Sequence, residues 1–141
     1  MKENVEIARR AYAAYNAGGI DAILEFLDPK IEWHMWERFA RGSRVYRGHA
    51  GVREALGVFE ENFDGFAADP HEFIDAGDRV IVPVRLHGKA KGTGEDVGFE
   101  LVQVWTERDG KAVRLDVYES KEDALRGPGL SENSRTSDSS S

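Results

Sequence analysis

Apolar positions recur every three or four residues in the first half of the chain and every second residue in much of the second half. Val5, Ala8, Tyr12 and Tyr15 fall on one face of a helix over about Glu3 to Ala17, with Glu3, Glu6, Arg9 and Arg10 elsewhere. Gly18-Gly19 stops it, because glycine takes positive φ at a helix end without steric cost. Ile20, Ile23, Leu24 and Leu27 share the face of a second, short helix, which Asp28-Pro29 ends. Ile31 to Trp36 alternates and predicts a short strand. Ile31, Trp33 and Met35 take one side of it; Glu32, His34 and Trp36 take the other. Glu37 to Val45, with three arginines, a glycine and a serine, predicts a loop of the kind that rims pockets. A third helix runs from about His49 to Phe63 and buries Val52, Ala55, Leu56, Phe59 and Phe63. Phe66 to Ile74 predicts a weaker strand, broken by Asp69-Pro70.

Three antiparallel strands follow. They are Val80 to His87, Val97 to Thr106 and Ala112 to Tyr118, all rich in β-branched and aromatic residues. Gly88 to Gly94 joins the first pair, and Arg108-Asp109-Gly110 makes a hairpin of the second. Beyond them, Ser120 to Asp123 resembles a capping box for one last helical turn, with Ala124 and Leu125 inward.

Alternation sorts the strands into two faces. Val80, Val82, Val84, Leu86, Phe99, Leu101, Gln103, Trp105, Val113, Leu115 and Val117 make an apolar face for the helices to cover. Gln103 is its one polar member and needs a partner: a ligand, a water, main chain or a tyrosine. The opposite face collects Arg85, His87, Glu100, Val102, Val104, Arg114, Asp116 and Tyr118. Apolar residues ringed by charges of both signs suit a homodimer interface. The alternative is that Arg85, Glu100 and Asp116 converge in a pocket as an acid–base group.

Composition narrows the function. The 141 residues suit one domain, which we place at 1–126. Residues 127–141 form a Ser-rich tail expected to be disordered, since it buries too little to offset its ordering entropy. A net charge of -7 and no basic block argue against nucleic acid. With no cysteine there is no disulfide, thiolate ligand or cysteine nucleophile. No apolar run is long enough to span a membrane, and the first residues show no leader pattern, so we expect a cytoplasmic location. His34, His49, His71 and His87 make no metal-binding spacing, so no metal is expected. No cofactor motif is present either. The glycines of Gly88 to Gly94 lack the Gly-Lys-Ser/Thr and the helix that a phosphate loop needs.

Three local signatures resemble one family. They are Tyr15-Asn16-Ala17-Gly18-Gly19 with its following Ile-Asp-Ala-Ile-Leu; Tyr46-Arg47-Gly48-His49 opening the third helix; and Ile74-Asp75-Ala76-Gly77-Asp78 with Val104-Trp105-Thr106 in the sheet. Together they resemble the SnoaL-like, polyketide cyclase-related family of the nuclear transport factor two-like superfamily. The resemblance implies an α+β, cystatin-like fold: a curved antiparallel sheet wrapped by N-terminal helices into a cone with an interior pocket. It also implies pairing of subunits through the outer sheet face. Relatives range from isomerases, epoxide hydrolases and cyclases to non-catalytic modules, so the fold does not choose the chemistry. In the isomerase pattern the tyrosine falls at Ala11 and the base at Trp33. In the epoxide-hydrolase pattern the polar triad falls at Val84, Leu86 and Val117. A one-residue slip of register would substitute Arg85, His87 and Asp116.

These readings converge on a small apolar or aromatic ligand. Tyr15, Trp33, Trp36, Tyr46, Phe59, Phe63, Phe99, Leu101 and Gln103 are the candidate lining residues. His34, between Trp33 and Trp36 on the candidate pocket strand, is the candidate acid or base for cyclase- or isomerase-type chemistry. Two alternatives stay open: a dimeric, non-enzymatic module whose aromatics fill the pocket, and an epoxide-hydrolase-like enzyme using Arg85 and Asp116.

Overall fold

The computed structural model of the protein describes residues 2–35 and 45–125. Trp36, most of the expected Glu37 to Val45 loop and the Ser-rich tail lie outside the described residues. Helix α1 (Lys2–Ile23) leads through a 3-10 turn (Leu24–Phe26) into strand β1 (Leu27–His34). Strand β2 (Val45–Arg47) and helix α2 (Gly48–Asn62) follow. Five strands complete the order: β3 (Phe63–Pro70), β4 (Ile74–Ala76), β5 (Arg79–Ala90), β6 (Asp96–Arg108) and β7 (Lys111–Tyr118). They form one seven-stranded sheet in the order β2-β1-β7-β6-β5-β3, with β4 beside β5. All pairs are antiparallel except β1 with β7.

The helix pair breaks where glycine permits it. Gly19 sits at φ 78, ψ -157, a region that side-chain-bearing residues avoid. The second helix is shorter than its spacing implies. Ile23, Leu24 and Leu27 are all buried, yet they belong to a helix end, a 3-10 turn and a strand. Pro29 does not end a helix; it lies inside β1 where pairing with β7 shifts register, a place that tolerates its missing N–H.

The sheet takes the expected register. Val82 pairs with Gln103 and Val80 with Trp105 across β5 and β6; Gln103 pairs with Val117 and Trp105 with Leu115 across β6 and β7. The β6–β7 turn is the Asp109-Gly110 pair, both at positive φ (53 and 82), as a two-residue hairpin of that twist requires. A register shift between Thr106 and Glu107 changes one assignment. Glu107 pairs with Ala112, so Ala112 enters the core and Val113 does not. The core packs α1 and α2 against Val80, Val82, Val84, Leu86, Leu101, Trp105 and Leu115.

The outer face is already partly covered. Ile81, Val102, Val104 and Ala124 form a second buried cluster, with Ile74 and Tyr118 against it. Ala124 comes from the turn after β7, where the Asp123 N–H donates to Ser120 Oγ at 3.1 Å. Leu125, expected inward, is 61% exposed, because one further residue carries it round the helical turn away from the sheet.

Candidate functional site

The helices and the inner sheet face enclose a cavity. Its walls include Tyr12 and Tyr15 of α1, Leu56 and Phe59 of α2, Trp33, His34 and Met35 at the end of β1, Phe66 and Ala68 of β3, and Leu101, Gln103 and Trp105 of β6. The cavity is small, about 40 Å³. Rings form most of the surface. Trp33 meets Trp105 edge-on at 5.6 Å, and Tyr12 meets Trp105 edge-on at 5.8 Å. Phe59 and Phe66 stack at 4.7 Å.

The polar groups in the wall are few, and most are committed. The Trp105 indole N–H donates to the Tyr12 hydroxyl at 2.8 Å. Tyr12 donates in turn to Gln103 Oε1 at 2.5 Å. Burial pushes the Tyr12 hydroxyl far above its ordinary pKa, outweighing the Trp105 bond, so it keeps its proton as a donor. The Tyr15 hydroxyl donates to Glu60 Oε2 at 2.8 Å. Burial, then the bond to Glu60 and its charge, raise the Tyr15 pKa as well.

His34 stands at the mouth of a charged chain. Its Nε2 lies 3.4 Å from Glu32 Oε1. Glu32 also takes Arg47 Nη1 at 3.1 Å and faces Arg114 Nη1 at 3.8 Å. Partial burial pushes the Glu32 carboxyl up, but bonds from His34 and Arg47 and the charges of Arg47 and Arg114 hold it below its ordinary value. A histidine oriented by an ionised carboxylate is a familiar acid–base arrangement.

The structure sorts the expected site residues. Tyr15, Trp33, His34, Phe59, Leu101 and Gln103 line the cavity. Tyr46, Phe63 and Phe99 do not. Tyr46 pairs with Trp33 across β1 and β2, and it is buried where α2 approaches, with its backbone carbonyl carbon 2.8 Å from a Cβ built on Gly51. Phe63 and Phe99 pack edge-on at 6.1 Å beyond the cavity wall, because β3 carries Phe66 rather than Phe63 inward. Arg85 and Asp116 are also outside it. Arg85 pairs with Glu100 at 3.3 Å and Asp116 with Arg114 at 2.8 Å, both on the outer face. The slipped register that would turn them inward does not occur, so Arg85 and Asp116 do not build an epoxide-hydrolase arrangement in this cavity.

Sequence reasoning missed the role of Tyr12. It was legible as a core position, but a hydroxyl on an apolar helix face needs a partner, and Gln103 on the apolar sheet face needs one too. Matching the two would have found the pair.

A model of the SnoaL-like domain matches residues 8–115. The chain belongs to the SnoaL-like family. No curated protein matches this SnoaL-like chain. Solved structures do. TerC, co-crystallized with polyporic acid, is 30% identical, with 88% of this chain and 96% of TerC covered at a TM-score of 0.72. An NTF2-like protein from Burkholderia thailandensis is 28% identical, with 82% and 88% covered, at 0.72. A putative SnoaL-like polyketide cyclase from a Jannaschia species has the same fold at 20% identity, with 89% and 90% covered and a TM-score of 0.69. Among the described residues, no helix is long and apolar enough to cross a membrane.

Proposed function

We propose that this SnoaL-like protein holds a small, flat apolar or aromatic molecule in its cavity and acts on it by cyclase- or isomerase-type proton transfer. The observation that carries this reading is the wall itself: stacked and edge-on rings with a few polar groups, the composition of a small-molecule site. The similarity to TerC, which was crystallised with polyporic acid, supports the same reading. His34 is the proposed acid or base, with Glu32 orienting its ring. Gln103 is the proposed hydrogen-bonding orienter.

The small cavity volume, about 40 Å³, favours one rival: a module whose cavity is filled by its own side chains. Native mass spectrometry of protein purified without denaturation separates the two. An extra mass of roughly a few hundred daltons, as expected for a pocket-sized ligand, supports the ligand reading and delivers the ligand. A bare chain from every expression host, together with unchanged turnover of any identified substrate in His34→Ala, would overturn it.

The reading includes a homodimer through the outer sheet face. Exposed on that face is an ion-pair strip that includes Arg85, Glu100 and His71, with Glu100 2.8 Å from His71 Nε2. Val102 and Val104 are covered within the single chain, so the proposed interface is more polar than the alternation implies.

A further inference from the structure

The hydrogen-bond polarity of the cavity follows from one residue type. The Trp105 indole carries an N–H and no acceptor, so it can only donate. Its partner is the Tyr12 oxygen, 2.8 Å away. The Tyr12 proton then goes to its other neighbour, Gln103 Oε1, at 2.5 Å. This settles which end of the Gln103 amide is which, a point that geometry alone leaves ambiguous in most side-chain amides. The carbonyl end is taken, and the NH2 end is left.

That NH2 is neither paired nor sealed. Among the described residues it has no hydrogen-bond partner, and the one side-chain polar atom both fully buried and unpartnered is Glu107 Oε1. Gln103 is part of the cavity wall. The Tyr15 hydroxyl, the other polar group of α1 in the wall, gives its proton to Glu60. His34 can reverse its polarity by changing tautomer. Reversing Gln103 would turn its NH2 toward a Tyr12 oxygen that already accepts from Trp105 and leave the buried Tyr12 proton without its acceptor.

We propose that Gln103 is a specificity-determining donor: it selects ring compounds that present a carbonyl oxygen to the middle of β6, such as aryl ketones or quinones. Tyr12 is the positioning residue that fixes its polarity. A ligand carrying only a hydrogen there would leave the amide desolvated and unpaired, a loss that discriminates more strongly than apolar fit. This inference rests on the reading that the cavity takes a small molecule.

The test uses indanone and indane, two flat bicyclic probes that differ in one carbonyl oxygen. Each is titrated into the full-length protein by heteronuclear NMR, which reads the Gln103 side-chain NH2 and the Trp105 indole N–H directly. Indanone is expected to bind roughly five- to tenfold more tightly, as one net hydrogen bond provides, and to shift the Gln103 NH2 pair. Gln103→Met should abolish the preference while retaining indane. Tyr12→Phe should release the amide to rotate, so that indanol, which can donate, gains on indanone. Equal binding of indanone and indane to the unaltered protein overturns the proposal and leaves the cavity reading standing. Binding of neither removes the cavity reading and the proposal with it.

Discussion

Asn16 holds both backbone groups of Ala68: its Nδ2 donates to the Ala68 carbonyl at 2.7 Å, and its Oδ1 accepts the Ala68 N–H at 3.0 Å. Ala68 lies in β3, the strand at the end of the sheet order, so one edge of it has no neighbouring strand. A helix side chain supplies what a strand would have supplied. Ala68 is also buried and lines the cavity, so this contact ties α1 to the cavity wall.

Asn16→Ala should therefore leave a buried N–H and C=O unpaired together. The expected loss is about 1–3 kcal/mol, read as a lower urea midpoint with an unchanged slope. Asn16→Asp keeps the acceptor but faces the Ala68 carbonyl with an oxygen, so it should rescue little at neutral pH. A midpoint for Asn16→Ala equal to that of the parent would show that water replaces the amide without loss.

Glu107 is a buried carboxyl with Oε1 unpartnered, on β6 just past Trp105. Burial pushes its pKa up to about 7, from 4.5 for the free side chain. Between those values the folded chain binds more protons than the unfolded one, so stability falls as pH rises through this window and levels off above about 7. Glu107→Gln removes the charge and keeps the shape. It should raise the melting temperature at pH 8 and have little effect at pH 4. Thermal unfolding across that range checks it; a difference independent of pH would mean that the carboxylate is not the source.

Two glycines should respond with opposite signs. Gly19 holds φ 78 and ψ -157, so Gly19→Ala should cost ~1–3 kcal/mol of backbone strain even though the space around it is open. Gly57 lies inside α2 with nothing within 4 Å of a built Cβ. Gly57→Ala should stabilise by ~0.4–1 kcal/mol, chiefly by restricting the unfolded chain. Chemical denaturation of the pair checks both; the same sign for the two would remove the conformational explanation.

The strands were legible because one face is buried, and a period of two then fixes which residues meet the core. The inner set from Val80 to Leu86 and from Leu101 to Trp105 follows from that alone. The Leu24–Leu27 segment misleads because burial at i, i+3 and i+4 is also satisfied by a 3-10 turn that feeds a strand. Val113 misleads for a different reason: an irregularity opposite Thr106 and Glu107 is invisible to alternation. The cavity is harder to read. Tyr15, Trp33 and Phe59 could be named from their faces, but Phe63 and Phe66 are separated only by where β3 begins. The Trp105–Tyr12–Gln103 chain links residues about ninety positions apart, and no local pattern announces it.

The outer face offers a last test, in which fold and assembly have to be kept apart. Val104 is 0% exposed and packs with Ile81, Val102 and Ala124 of its own chain. Val104→Glu would bury a charge with no partner in that cluster, so it should cost several kcal/mol and abolish the near-ultraviolet dichroism of a packed core. Its effect on a dimer would be uninterpretable. Arg85 is the better probe. Its ion pair with Glu100 is exposed, so Arg85→Glu should cost no more than ~1 kcal/mol of fold stability. At a self-paired interface the same substitution appears twice and sets like charges together. If the parent pairs through this face, light scattering after size exclusion should report a dimer for the parent and a monomer for Arg85→Glu. A dimer that survives Arg85→Glu at low salt would place the subunit contact on another surface.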